Sequence, residues 1–193
     1  MHHLGMDDEE FIRGKVPMTK REIRILSLAK ARLEPGSVVY DIGAGTGSLS
    51  IEAALQVGDG HVYAIERSPE GIGLIRENAK KFQVENLTVL QAKAPEGMEA
   101  LPPCDVALIG GSGGSLAQIL DVLDGKLRPG GRIVINCIAV QTLMQAIDFM
   151  RKKEGYAYDA IQVQVNCLQQ IGAYDMAKAY NPIYIVTCVR KHE

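Results

Sequence analysis

The chain has 193 residues, of which 47% are hydrophobic and 23% are charged. The length suits one ordinary domain, and the composition excludes a disordered or fibrous protein. The 21 basic and 23 acidic residues give a formal net charge of -2, and no run of five or more Lys or Arg occurs. We therefore expect one domain over residues 1–193, with 1–18 as an N-terminal segment, and no nucleic-acid or membrane partner.

Apolar stretches are too short to cross a bilayer. Stretches such as Ile183 to Val189 fall far short of the roughly 20 residues that a membrane helix needs. The first ten residues are acidic, where a signal peptide would be basic and then apolar. These features predict a cytoplasmic protein.

The cysteines and histidines show no metal-binding spacing. Cys104, Cys137, Cys167 and Cys188 lie at least twenty residues apart and each sits in or beside an apolar stretch. We expect four reduced core residues and no metal site. The histidine pair at residues 2 and 3 is assigned no role.

A capping box predicts the start of the first helix. In TKRE, Thr19 can accept a hydrogen bond from the backbone N–H of Glu22 while Glu22 reaches back. Apolar residues follow at helical spacing through residue 33, and Pro35 and Gly36 end this helix.

Strand and helix patterns then alternate along the chain. Strands are predicted at 37–42, 61–66, 87–92, 104–110 and 131–137. Helices are predicted at 48–57, from Pro69 with Ser68 as its cap, from about Leu116, and from about Leu143 to near Gly155, with turns at 43–47 and 128–131. Strands joined by helices run parallel, and their nearly continuous apolar character indicates a sheet covered on both faces.

The last forty residues break this alternation. Strands at 156–165 and 182–189 are joined by a segment at 166–181, predicted as a loop, with no helix pattern long enough for a crossover. Two strands joined without a crossover should be antiparallel. The sequence thus predicts a doubly wound, mostly parallel, seven-stranded Rossmann-like α/β sheet with an antiparallel C-terminal strand.

The first strand leads into a glycine-rich loop, where an open parallel sheet places its ligand. DIGAGTG (41–47) has three glycines in five residues, but Ser48 stands where the dinucleotide fingerprint needs glycine. Asp41 would also be poorly placed beside a pyrophosphate. Glu66, at the end of the second strand, can accept both hydroxyls of an adenosine ribose. A plain tight turn is the alternative for the loop alone, and its pairing with Glu66 favours a ligand site.

These residues resemble the class I S-adenosylmethionine-dependent methyltransferases over about residues 37–190. Further motifs are similar to the cobalt-precorrin-6B C(15)-methyltransferase (decarboxylating) family of cobalamin biosynthesis. These motifs are VPMTKREIR (16–24), AP (94–95), VALIGGSGG (106–114), LRPGGRIVIN (127–136) and NP (181–182).

The resemblance implies a set of residues that bind S-adenosyl-L-methionine. Thr19 would lie at the cofactor, the glycine loop would wrap its methionine part, Glu66 would hold the ribose and Ala94 would border the adenine. The cofactor-binding set is Thr19, Gly43, Ala44, Gly45, Thr46, Gly47, Glu66 and Ala94.

The loop after the fourth strand is predicted to face the substrate. Amine methyltransferases commonly have an Asn/Asp-Pro-Pro-aromatic motif here, whereas this chain has Gly110, Gly111, Ser112, Gly113 and Gly114. The missing side chains leave room for a wide, flat substrate and N–H groups for its carboxylates. A flexible loop that caps the next helix is the alternative.

The implied substrate is a tetrapyrrole, a (cobalt-)precorrin. It would be methylated at carbon 15 and would lose carbon dioxide from the acetate on carbon 12, and no residue is singled out as catalytic. Its carboxylates could meet basic residues, and an aromatic or amide side chain could contact the macrocycle. The candidates are Lys15, Lys20, Arg21 and Lys178, with Tyr174, Tyr180 and Asn181.

Two other classes of protein stay open. One is a methyltransferase for RNA or protein, which the missing amine motif and the acidic balance disfavour. The other is a binding module without catalysis, which the intact glycine loop and Glu66 disfavour. The resemblance also implies a homo-oligomer, a tetramer.

Overall fold

A computed structural model describes residues 4–192; the histidines at positions 2 and 3 lie outside this range. The strands within this range are β1 Val38–Ile42, β2 His61–Glu66, β3 Leu87–Gln91, β4 Cys104–Ile109, β5 Leu127–Cys137, β6 Tyr156–Val163, β7 Asn166–Ile171, β8 Tyr174–Ala179 and β9 Ile183–Arg190. The α-helices of the same range are α1 Arg21–Ala31, α2 Ser48–Val57, α3 Pro69–Lys81, α4 Leu116–Lys126 and α5 Val140–Lys152. Within residues 4–192, no helix is long and apolar enough to cross a membrane.

Seven strands form one sheet in the order β3-β2-β1-β4-β5-β9-β6. Neighbours from β3 through β5 are parallel, while β9 is antiparallel to both β5 and β6. The predicted doubly wound sheet with an antiparallel C-terminal strand is confirmed. The chain runs outward from β1 to β3 and then returns to β4, so the strand order reverses between β1 and β4. The carboxyl ends of those two strands are where such a sheet binds its ligand.

Alternate strand residues fill two cores on opposite faces. On one face, Tyr40 and Ile109 belong to a buried cluster with apolar residues of α4 and α5. On the other face, Val39 and Leu108 pack with residues of α1 and α2. Burial on both faces explains why the strands are apolar nearly throughout.

The first helix begins one residue later than the capping box predicts. Helix α1 starts at Arg21, its N-cap residue is Lys20, and no side chain caps it. The cap assigned to Thr19 is therefore wrong. The carbonyl oxygen of Thr19 instead accepts a hydrogen bond from Arg24 at 2.7 Å, which ties this residue to the helix by another route.

The segment at 166–181 is not a loop. Strands β7 and β8 form an antiparallel hairpin separate from the main sheet, with Ile171 opposite Tyr174. Gly172, with φ of 61°, begins its two-residue turn, which is a position that favours glycine. Cys167 lies on this hairpin, half-buried, so it is not the core residue that was expected.

Two further details concern β5 and the buried thiols. The predicted turn at 128–131 lies inside β5, as an irregularity where its register against β4 shifts. Cys104, Cys137 and Cys188 are buried free thiols, as expected for core residues. Burial raises the pKa of Cys137 to about 11.

Candidate functional site

A cavity of about 490 Å³ opens at the carboxyl edge of the sheet. Its wall consists of residues from the N-terminal segment and α1, from the ends of β2 and β5, from the loops after β1 to β5, and from the segment that leads into β9. They are Val16, Pro17, Met18, Thr19, Lys20, Ile23, Gly43, Ala44, Gly45, Ile65, Glu66, Arg67, Ser68, Ala92, Lys93, Ala94, Gly110, Gly111, Ser112, Gly113, Asn136, Ile138, Tyr180, Asn181 and Ile183.

The glycine loop at 43–47 passes between two other backbone segments. Gly43 and Gly45 have φ of 72° and 58°, which non-glycine residues rarely adopt. A Cβ atom at residue 43 would lie 2.3 Å from the carbonyl oxygen of Gly111, and one at residue 45 would lie 2.6 Å from that of Pro17. Both contacts are with backbone, so a side chain at either position would force the cavity wall apart.

Glu66 fixes the two loops on either side of it. Its Oε2 accepts the N–H of Gly45 at 2.9 Å, and its Oε1 accepts the N–H of Ser68 at 2.8 Å. The carboxylate lines the cavity, and each oxygen has a further lone pair. Glu66 can therefore accept two hydroxyl groups from a ligand while it keeps both loops in place.

The loop after β4 brings bare backbone to the cavity. The N–H groups of Gly110 and Gly111 both point at the carbonyl oxygen of Ile42, at 3.0 and 3.3 Å. A Cβ at Gly113 would lie 3.4 Å from the guanidinium of Arg67. The loop leaves space beside the cavity, as the sequence predicted, but the N–H groups of Gly110 and Gly111 already donate to Ile42 and are not the free donors that were expected for substrate carboxylates.

The N-terminal strap, residues 5–20, forms one wall and is fastened by a fully buried arginine. Arg24 donates hydrogen bonds to Glu52 at 2.8 Å, to Asp8 at 2.7 Å and to the carbonyl oxygen of Thr19 at 2.7 Å. The side chain of Glu52 is 1% exposed, so Arg24 and Glu52 form a buried ion pair in which each neutralises the other's charge. Together these bonds hold the strap against α1 and α2.

A second fastening joins the strap to the glycine loop. Asn78, which is fully buried on α3, accepts the N–H of Ile12 at 2.8 Å and donates to the carbonyl oxygens of Ile12 and Thr46, each at 3.0 Å. The N–H of Lys15 donates to Glu70 at 2.6 Å. The strap wall and the glycine loop are thus held by the same helix.

Asp41 lies beneath the glycine loop, away from the cavity surface. Its Oδ2 accepts a hydrogen bond from Ser50 at 2.5 Å, and its Oδ1 has no partner among the described residues. Burial, with the nearby Glu66 carboxylate, raises the pKa of Asp41 to about 6 despite the bond from Ser50. Asp41 is not part of the cavity wall.

Most of the predicted site residues meet in the cavity. Those that line it are Thr19, Gly43, Ala44, Gly45, Glu66, Ala94, Gly110, Gly111, Ser112 and Gly113. Four others lie outside its wall. Thr46 is buried behind the loop, and Gly47 packs against Ile75. A Cβ atom at Gly114 would meet nothing within 4 Å, and Lys178 lies on the exposed hairpin.

Several lining residues were not predicted from the sequence. Asn136 lies at the end of β5, Ile138 follows that strand, Ile183 begins β9, and Arg67 follows Glu66. Asn136 could have been found by the rule that pointed to Glu66, because it is a polar residue at the carboxyl end of an apolar parallel strand. Ile183 could not, because its place depends on β9 running antiparallel between β5 and β6.

The charges of the wall are mostly positive. Three basic side chains, Lys20, Arg67 and Lys93, and one acid, Glu66, line the cavity. Lys20 lies 5.5 Å from the ring centroid of Tyr180 and so links the strap to the segment before β9. Among residues 4–192, no group of three or more His, Cys, Asp or Glu could hold a metal ion.

Comparisons with known proteins converge on one family. Residues 10–190 match the family model for the precorrin methyltransferase domain. The cobalt-precorrin-6B C(15)-methyltransferase (decarboxylating) of Salmonella typhimurium is 40% identical over 187 residues, or 96% of each chain.

Two solved structures share the fold and much of the sequence. One is a precorrin-6Y C5,15-methyltransferase from Geobacter metallireducens, with 41% identity, 97% of each chain covered and a TM-score of 0.91. The other is a precorrin-8W decarboxylase from Methanobacterium thermoautotrophicum, with 32% identity, 94% and 98% covered and a TM-score of 0.89.

Proposed function

The chain belongs to the precorrin methyltransferase family, and from this premise we propose that it acts on a (cobalt-)precorrin in cobalamin biosynthesis. It would methylate carbon 15 with S-adenosyl-L-methionine and remove carbon dioxide from the acetate on carbon 12. The observation that carries this proposal is the cavity at the strand-order reversal, where a glycine cradle and Glu66 adjoin a side-chain-free loop.

The residues present fit S-adenosylmethionine. The cradle has no room for a Cβ at Gly43 or Gly45, so a ligand can approach its backbone closely. Glu66 has lone pairs for the two ribose hydroxyls, and the small, 9% exposed Ala94 leaves room for a flat base. When bound, the cofactor supplies an electrophilic methyl group on a sulfonium. Thr19, Ala44, Thr46 and Gly47 complete the proposed cofactor set.

Methyl transfer requires no nucleophile from the protein. The attacking carbon belongs to the substrate: a carbon–carbon bond forms, the sulfur–carbon bond breaks and the sulfonium becomes a neutral thioether. The chain has to align the two molecules and exclude water. The strap wall, fastened by Arg24 and Asn78, performs that task on one side of the cavity.

The cavity also suits loss of carbon dioxide. The carbon–carbon bond to the carboxylate breaks, its electron pair enters the conjugated macrocycle, and a proton is then taken up. Apolar wall residues such as Ile138 and Ile183 favour the neutral product over the charged carboxylate. Arg67 and Lys93 in the wall attract a substrate with several carboxylates, whereas Lys20 is already paired with Asp8 at 3.1 Å.

Three further points belong to the same proposal. The substrate would contact the 110–114 loop in the cavity, and Lys178 would contact it from the hairpin. The enzyme would be a homotetramer, in keeping with exposed apolar residues such as Leu168 and Tyr174 on that hairpin. It would work in the cytoplasm, without nucleic acid as substrate.

The test is mass spectrometry of the tetrapyrrole after incubation of the purified protein with cobalt-precorrin-6B and methyl-labelled S-adenosylmethionine. We expect a product that has gained one labelled methyl group and lost one carbon dioxide. A Glu66→Ala variant should form it far more slowly at the same cofactor concentration. Label in RNA or protein, with the tetrapyrrole unchanged, would overturn the proposal.

A further inference from the structure

We propose that Ile138, Val140 and Met144 form an apolar platform at the mouth of the cavity, on which the flat face of the tetrapyrrole lies. The inference rests on the proposed function and deepens it, because it adds a surface outside the cavity to the substrate site. None of the three residues belongs to the proposed cofactor set, the 110–114 loop or the hairpin.

The first support is the size of the cavity. Its volume of about 490 Å³ is that of a pocket for one drug-sized ligand, for which roughly 300–1,000 Å³ is usual. The proposed reaction brings together two molecules that are each at least as large as such a ligand, the methyl donor and a tetrapyrrole. The cavity is too small to enclose both, so part of the substrate has to lie on the surface around its mouth.

The second support is the end of the cavity that the cofactor leaves free. Glu66, at the end of β2, and Ala94, after β3, are the residues proposed for the ribose and the adenine. Ile138 and Ile183 line the cavity from the other side of β1, after β5 and at the start of β9. The substrate therefore has to approach from the side of β5.

The third support is an exposed apolar surface on that side. Of the large apolar side chains that are exposed among residues 4–192, Ile138 alone also lines the cavity, and it is 67% exposed. Exposed apolar surface beside a pocket is typical of ligand-binding grooves. Ile138 thus connects the interior of the cavity with the surface outside it.

Val140 and Met144 extend this surface away from the cavity. Val140 begins α5 two residues after Ile138, and Met144 lies one helical turn further on the same face. Both side chains are exposed, whereas Ala146 and Met150 of the same helix are buried in the core. From Ile138 to Met144 the backbone spans at most about 13 Å.

The fourth support is the absence of charge along this stretch of sequence. Residues 133–147 include no Asp, Glu, Lys or Arg. The platform therefore brings no acid near a substrate with several carboxylates. Covering apolar side chains with the conjugated ring system removes apolar surface of both molecules from water, which favours binding.

The competing occupant is a second copy of this chain, because exposed apolar patches also form subunit contacts. The double variant Val140→Thr/Met144→Gln distinguishes the two occupants. Threonine keeps the branched shape of valine, and glutamine keeps the length and helix propensity of methionine.

Leu4→Gln is the matched control. It also replaces an exposed apolar side chain, but the neighbouring Gly5 donates its N–H to Glu52 on α2. Helix α2 packs on the opposite face of the sheet from α5.

The experiment is the labelled-product assay at a series of cobalt-precorrin-6B concentrations with saturating S-adenosylmethionine. We expect the KM for the tetrapyrrole to rise about tenfold in the double variant and kcat to stay within twofold, because a platform binds ground state and transition state alike. Both constants should stay within twofold in Leu4→Gln. The KM for S-adenosylmethionine and the sedimentation of the protein should not change in either variant.

Each contrary outcome has its own meaning. An unchanged KM for the tetrapyrrole in the double variant would overturn the inference. Altered sedimentation of that variant would assign the patch to a second copy of the chain, and a parallel rise in the KM for S-adenosylmethionine would show a general disturbance of the site; either result also contradicts the platform. If the double variant does not fold, Met144→Gln alone decides, and an unchanged KM there has the same meaning.

Failure of the inference and failure of the proposed function give different results. If only the inference fails, the unaltered protein forms the labelled, decarboxylated product and the double variant does so with the same KM. If the proposed function fails, the unaltered protein forms no such product, and the inference falls with it.

Discussion

The N-terminal strap and the β7–β8 hairpin are built in opposite ways. The N-terminal strap is fastened by fully buried polar side chains, Arg24 and Asn78, and its wall residues touch the glycine loop. The β7–β8 hairpin next to Tyr180 projects from the main sheet, and Leu168 and Tyr174 are each 76% exposed. The strap is held in place by contacts within a single chain, whereas a two-stranded hairpin that packs against nothing is only marginally stable. Changes in the first segment should therefore affect folding and cofactor binding, and changes in the second should affect association.

The largest expected effect on ligand binding is that of Gly43→Ala. A Cβ there would meet Gly111 backbone at 2.3 Å, and the φ of 72° is unfavourable for alanine. We expect S-adenosylhomocysteine affinity, measured by calorimetry, to fall at least a hundredfold. Gly73→Ala is the control, because a Cβ in that helical position meets nothing within 4 Å and should stabilise the fold by about 0.5–1 kcal/mol. Unchanged affinity in Gly43→Ala would mean that the loop is only a turn.

The largest expected effect on folding is that of Arg24→Leu, which leaves the buried Glu52 carboxylate without its cation. We expect the free energy of unfolding in urea to fall by about 3–5 kcal/mol. Arg128→Ala is the control, because it removes a surface ion pair between Asp105 and Arg128, whose side chain is 44% exposed. The free energy of unfolding should fall by at most about 1 kcal/mol. Similar losses in both variants would contradict the contrast between a buried and a surface ion pair.

Asp41→Asn tests the pH dependence beneath the glycine loop. The pKa of Asp41 is raised to about 6, from an unfolded value of about 3.9, so the folded state binds this proton more tightly. The contribution of Asp41 to stability therefore falls as pH rises from about 4 to 6, and the ionised form costs up to about 3 kcal/mol at neutral pH.

Asparagine at position 41 cannot ionise. We compare the free energy of unfolding of Asp41→Asn with that of the unaltered protein at two pH values. The difference, variant minus unaltered, should be about 2 kcal/mol larger at pH 7.5 than at pH 4.5, because the variant is then the more stable of the two. Urea titrations at the two pH values measure this difference. A difference of the opposite sign would show that Asp41 is stabilised as the carboxylate.

The smallest effect on folding is expected in the hairpin. The double substitution Leu168→Ser and Tyr174→Ser removes exposed apolar surface and should change the stability of the isolated subunit by no more than about 0.5 kcal/mol. Sedimentation should nevertheless show weaker self-association. A large loss of subunit stability with unchanged association would make the hairpin part of the subunit core.

How much could be predicted from the sequence depends on how local each signal was. The strand at His61 and the Ser68 cap followed from local pattern, and Ser68 does accept the N–H of Gly71. The glycine loop and Glu66 were predictable because parallel strands deliver their carboxyl ends to one edge.

The failures arose where distant contacts override a local pattern. Thr19 has the capping-box sequence, but its carbonyl oxygen is held by Arg24 and the helix begins after it. The β7–β8 hairpin has exposed residues throughout most of its length, so it shows no alternation of apolar and polar residues. Ile183 was missed because its place in the cavity wall depends on β9 lying antiparallel between β5 and β6.

The most direct test is a calorimetric titration with S-adenosylhomocysteine of the unaltered protein, Glu66→Ala and Glu34→Ala. We expect the unaltered protein and Glu34→Ala, changed at an exposed position beyond α1, to bind alike. Glu66→Ala should bind about a hundredfold more weakly, because two hydrogen bonds to a charged acceptor are worth about 3 kcal/mol. Equal affinity in all three proteins, or no binding at all, would contradict the assignment of this cavity to the methyl donor.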